Sequence, residues 1–163
     1  VHTPMGRVNA TEPSRPVPLA RLLAIAYRSL VDGLHGRLRD QGWVDVRPAF
    51  GFVLLAARDQ PTTSTALATL MGTTKQAASK LVDSMQDAGY VERSANGPDG
   101  RQRDVSLTPR GVQLLAAVEE IYTELEREWA SLIGPNEVER IRRGLTGVLS
   151  DDHGVLPPVR PTW

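Results

Sequence analysis

Between residues 48 and 108 the hydrophobic period of the chain passes from steps of three and four to short extended runs, then back again. The first helical run sets Phe50, Val53, Leu54 and Ala57 on one face, with Pro48 in its first turn, where no backbone N–H is needed. It stops near Asp59-Gln60-Pro61. Thr63 then caps a shorter helix that reaches Met71, with Leu67 and Leu70 facing inward and Gly72 as its break. The next helix runs from about Thr74 to Ala88 and carries Ala78, Leu81, Val82 and Met85 on its apolar side. Two caps are open to it: Thr73 makes a capping box with Gln76, and Thr74 fits if Thr73 fills the buried position of the turn. Gly89 closes this helix at a left-handed position. Tyr90–Ser94 and Arg103–Leu107 then flank Asn96-Gly97-Pro98-Asp99-Gly100, a linker dense in turn formers, which predicts a β-hairpin with a long tip.

Longer stripes lie on either side. Leu19, Leu22, Leu23, Ala26, Leu30, Leu34 and Leu38 mark a helix that Gly42 ends, weakened by about 1 kcal/mol at each of Gly33 and Gly36. Thr108 caps and Pro109 opens a long helix whose stripe is Leu114, Leu115, Val118, Ile121, Tyr122, Leu125, Trp129 and Leu132. After Gly134-Pro135 a last helix carries Val138, Ile141, Leu145 and Leu149. Apolar stripes this long, around so small a central unit, predict a dimer interface. Residues 1–18, with four prolines and no periodicity, read as a flexible arm, and residues 151–163 as a flexible tail. The expected fold is mainly α with a small β-hairpin. Residues 19–47 and 109–150 form a helical dimerisation region, and 48–108 form the central unit.

The order of that unit, helix, helix, turn, helix and two-stranded hairpin, is the order of a winged helix-turn-helix. A helix fits the major groove of B-DNA, and a short preceding helix braces it across the backbone. Opposite the apolar side of the helix that follows the turn lie Lys75, Gln76, Ser79 and Lys80, whose side chains pair with base edges or phosphates. Its N-terminal N–H groups, at Thr74, suit phosphate. Acidic Asp83 and Asp87 fall in its second half. The hairpin tip brings Arg93, Arg101 and Arg103, and an arginine there suits the negative potential of a narrow minor groove; Asp99 would hold Arg101 in pose.

Lys+Arg and Asp+Glu are both 19, so a uniformly basic binder is excluded, while a sorted charge distribution is not. Cysteine is absent, which removes disulfides, thiolate metal sites and thiol redox switches. His2, His35 and His153 show no zinc spacing, and Asp151-Asp152-His153 reads as a solvated end. No phosphate loop, nucleophile elbow or zinc-protease motif appears, so neither an enzyme nor a cofactor is expected. No apolar run reaches the length of a membrane span, and the cytoplasm is the expected compartment. The five glutamates between Glu119 and Glu128 read as a solvated face that keeps the helical body off DNA.

Over about residues 19 to 149 the sequence resembles the MarR family (multiple-antibiotic-resistance-type regulators). The resemblance is carried by Leu67-Ala68, by the run from Gly72 to Asp83, and by Gly89-Tyr90-Val91-Glu92-Arg93. It closes with Asp99-Gly100-Arg101 and Leu107-Thr108-Pro109-Arg110-Gly111. The resemblance implies a homodimer straddling a pseudo-palindromic operator in double-stranded DNA. Thr74, Lys75, Gln76, Ser79 and Lys80 match recognition-helix positions, Arg101 the wing arginine and Asp99 its acidic companion. Gly100 stands where family wings often carry a basic residue. The family's habit of binding small aromatic or phenolic effectors implies a pocket that His35, Trp43, Phe50, Phe52 and Tyr122 would line. The expectation is a ligand-responsive repressor; the alternative is a winged-helix module that binds protein instead of DNA.

Overall fold

The computed structural model describes residues 15–94 and 103–159. The residues before Arg15, the hairpin tip with Asp99 and Arg101, and the last four residues lie outside it. Among the described residues there are six helices and one two-stranded antiparallel sheet: α1 (Leu19–Asp40), α2 (Phe50–Ala56), α3 (Ser64–Leu70), α4 (Lys75–Asp87), β1 (Val91–Arg93), β2 (Val105–Leu107), α5 (Pro109–Ile133) and α6 (Pro135–Leu149). This is the mainly helical, hairpin-bearing fold that the periodicity predicts.

Local chemistry sets the element boundaries. Thr63, Thr74 and Thr108 each accept a hydrogen bond from the N–H three residues on, the side-chain cap that stops a helix N-terminus from fraying. The choice between Thr73 and Thr74 is thereby settled for Thr74. Pro48 lies two residues ahead of α2, in the turn that leads into it, and not in its first turn.

One apolar core joins all but the last element. Leu34 and Leu38 of α1, Phe50, Val53 and Leu54 of α2, Leu67 of α3, and Ala78, Val82 and Met85 of α4 meet Leu114, Leu115, Val118, Ile121 and Leu125 of α5. Tyr90, Val91 and Val105 close it from the hairpin side. Leu70 does not face inward as expected: it is 41% exposed, and Ala68 and Met71 fill the core from that stretch. Seven residues make barely two turns, so Leu67 already occupies the inward side, and Leu70 leaves it as α3 ends.

Two features of the assembly have no local sequence signal. Thr62 pairs with Val105 through hydrogen bonds of 3.0 and 2.7 Å in the two directions, so the hairpin is widened by a single residue ahead of α3. The glutamate face of α5 is cross-braced. Arg58 reaches Glu119, Arg37 of α1 reaches Glu124 (3.0 Å) and Glu128, and Arg142 of α6 reaches Glu126 (2.5 Å). The face is solvent-exposed as expected, and four of its five glutamates also hold neighbouring segments to α5.

Candidate nucleic-acid interface

The α3–turn–α4 unit is set by two caps and a glycine. Gly72 adopts φ +55° in the turn, and the Thr73 N–H returns to the Ala68 carbonyl at 2.9 Å. With Ala78, Val82 and Met85 buried, the opposite side of α4 is presented outward. Thr74, Lys75, Gln76 and Lys80 are all exposed there, brought together on the first half of the helix as its spacing predicts.

Ser79 is different. It is half-buried and faces the hairpin, where Arg93 donates to its backbone carbonyl and to its hydroxyl, both at 3.1 Å. Arg93 also meets Asp83 at 2.5 Å, and its side chain is only 16% exposed. The sequence suggested Arg93 as part of the cationic tip; the structure instead spends it on fastening β1 to α4. No local pattern announces this, because the partners lie 10 and 14 residues away across the fold.

The hairpin is short, with Val91 opposite Leu107 and Arg93 opposite Val105. The Ser94 N–H reaches the Asp104 carbonyl at 2.9 Å, which carries the pairing one step toward the tip. Arg103 stands exposed at that end.

The base of the hairpin is anchored by Tyr90, expected as the first residue of the strand but lying just ahead of it. Tyr90 is fully buried, and its hydroxyl donates to Asp45 at 2.5 Å. Burial first, and then the Asp45 bond, push the phenol above its ordinary pKa. Arg110, in the first turn of α5, lies over the rings of Tyr90 (5.0 Å) and Trp43 (5.6 Å). Phe50 meets Tyr90 edge-on at 6.0 Å. This cluster pins the α1–α2 connection to the hairpin and to α5.

Two of the five effector-pocket candidates, Trp43 and Phe50, therefore close around Tyr90. Phe52 and Tyr122 are half-buried against the core, and Tyr122 neighbours Tyr27. His35 is half-buried on α1 near Asp32, Arg39 and the Val46 backbone.

Charge is sorted over this surface. On the helical body Arg37, Arg140, Arg142 and Arg143 meet carboxylates, as does Arg58 just after α2. Lys75, Lys80 and Arg103 have no carboxylate within 4.0 Å among the described residues, although Arg21, Arg39 and Arg127 on the body share that property. Among the described residues no group of acids and histidines could hold a metal ion, and no helix is long and apolar enough to cross a membrane.

Residues 52–102 match the model of the MarR family, a span that holds most of α2 and all of α3, α4 and β1. No protein of curated function matches the chain in sequence. Among solved structures, the transcriptional regulator BldR from Sulfolobus solfataricus is 27% identical, with a TM-score of 0.64 over 80% of this chain and 91% of that one. The reduced form of MarR from E. coli shares the fold at 24% identity and a TM-score of 0.70, over 83% and 99% of the two chains. MepR from S. aureus, in a structure of its DNA complex, shares it at 20% identity and a TM-score of 0.64, over 82% and 97%. The family match on the central unit and the fold shared around it make this chain similar to the MarR family of winged-helix transcription regulators.

Proposed function

We propose that the chain acts as a homodimer that grips a pseudo-palindromic operator in double-stranded DNA and represses transcription until a small aromatic or phenolic effector releases it. One observation carries the DNA reading: the outward side of α4 presents Thr74, Lys75, Gln76 and Lys80 together, with neither lysine paired to an acid among the described residues. Groove-compatible side chains with free charge, at the N-terminus of a helix braced by another, suit the major groove. Arg103, and Arg101 held by Asp99 beyond the described residues, would serve the adjacent minor groove or phosphates. Ser79 would act through its tie to Arg93, setting the angle between helix and wing.

The dimer is supported by apolar surface left uncovered on one chain. Leu19, Leu22, Leu23 and Ile25 of α1, Leu132 at the end of α5 and Val148 and Leu149 of α6 are all exposed. Residues 19–47 and 109–150 would form the twofold body and residues 48–108 the two reading heads, spaced about 34 Å apart to meet successive major grooves. An effector resting on Trp43 and His35, with Phe50, Phe52 and Tyr122 behind them, would favour a splayed dimer and draw the population from the DNA-competent spacing.

Selection from a random pool of DNA duplexes tests this reading. The expected result is an enriched sequence with inverted half-sites, bound by the wild type. With two heads on the duplex the pair of substitutions removes four contacts, so Lys75→Ala with Lys80→Ala should flatten the slope of log affinity against log salt by about four units. Failure to enrich any sequence would overturn the reading, and an unchanged slope would remove the two lysines from it.

A further inference from the structure

α4 has two flanks. Ser79 and Asp83 face the hairpin through Arg93, while Ala77, Lys80, Leu81 and Ser84 face the other way, toward the connection that leads into α2. On that second flank a groove of about 1020 Å³ runs between α4 and residues 47–49. Ala49, Met71 and Leu81 give it an apolar lining, and Thr73 and Thr74 stand at the N-terminal end of α4. Arg47 and Lys80 supply its charge, and no carboxylate lines it. The Arg47 guanidinium lies 5.3 Å from the Phe50 ring centroid, which holds it in place without using its hydrogen-bond donors. Arg47 has no carboxylate within 4.0 Å among the described residues.

A helix lying in a major groove has a sugar–phosphate strand along each flank. The wing covers one flank of α4, and the groove lies on the other, with two cations that meet no carboxylate among the described residues. We propose that Arg47 is a phosphate-binding residue, and that a backbone strand of the bound duplex runs along this groove between Arg47 and Lys80. The inference rests on the DNA-binding reading above. It adds a third segment, the loop ahead of α2, to the footprint made by the recognition helix and the wing.

Arg47→Gln tests it, measured on a random-sequence duplex and on the duplex enriched from a random pool. Arg47→Lys keeps the charge, and Arg127→Gln removes an unpaired cation from α5. In the homodimer Arg47→Gln removes two phosphate contacts and should lower the salt slope by about 1.8, equally on both duplexes, so that it is weakest relative to the wild type at low salt. Arg47→Lys should restore the slope, and Arg127→Gln should leave it unchanged, with all four proteins melting alike. A wild-type slope in Arg47→Gln would overturn the inference alone, as would a loss confined to the enriched duplex, which signals a base contact. A wild type that binds neither duplex would overturn the DNA-binding reading itself and take this inference with it.

Discussion

A methyl group added at Gly111 would lie 2.0 Å from the Tyr90 carbonyl oxygen. That same oxygen accepts from the Thr108 N–H at 3.1 Å, and the Thr108 hydroxyl both accepts from the Gly111 N–H and donates to the Gly89 carbonyl. The start of α5 is thus bound to the end of α4 through backbone atoms that cannot retreat. The expected cost of Gly111→Ala is about 3 kcal/mol or more by denaturant unfolding, since overpacking against backbone finds little relief; a wild-type midpoint would show that the junction yields. At His35, burial and then Arg39 hold the imidazole below its ordinary pKa, against the opposing pull of Asp32. A depressed imidazole pKa means that the unfolded chain binds more protons, so this contribution to stability is present above about pH 6.5 and is lost as the pH falls through the folded value. The melting temperature should fall between about pH 7.5 and about pH 5.5, and His35→Gln should flatten that fall. Parallel profiles for the two proteins would show that His35 does not contribute.

Arg93 acts at the scale of the element. It joins β1 to α4 by a charged contact to Asp83 and two hydrogen bonds to Ser79. Arg93→Ala should cost about 1–2 kcal/mol, because charge-assisted bonds are lost where the arginine is mostly covered and Asp83 is not. The loss belongs to the hairpin, so amide exchange should quicken in β1 and β2 and stay unchanged in the buried half of α5. Uniform acceleration through the chain would contradict this. The Thr63 and Thr108 caps and the inward side of α4 were legible in the sequence, because a cap needs only neighbours three residues away and a long helix repeats its signal, whereas two adjacent threonines left the cap of α4 open. The outward turn of Leu70 was not, since a seven-residue helix offers too few repeats to separate the two sides. The Thr62–Val105 pairing left no trace either, because one bridged residue has no period.

At the scale of the molecule the largest unbalanced feature is apolar surface. Leu132 is 82% exposed and Val148 83%, and no side chain of α6 is buried. A second copy of the chain covering these faces, as proposed, makes the body twofold. Leu132→Glu should then shift the mass measured by sedimentation equilibrium from dimer toward monomer, and should lower the salt slope on operator DNA by roughly half as one reading head is lost. A mass and slope like those of the wild type would place the interface elsewhere. The net charge of zero adds to this picture, because Arg37, Arg58 and Arg142 are held by glutamates of α5 while Lys75 and Lys80 have no carboxylate within 4.0 Å among the described residues.

Order and type of elements were written into the chain itself: periodicity, caps and turn formers act over a few residues and need no partner to be read. The outward side of α4 followed from the same local rule, since the residues opposite a buried stripe must face away from the core. Which cations remain free was decided only in three dimensions. Arg93 and Arg47 look alike in the sequence, yet one is turned onto Ser79 and Asp83 and the other is held over Phe50, because ion pairing depends on which segments folding brings within a few ångströms.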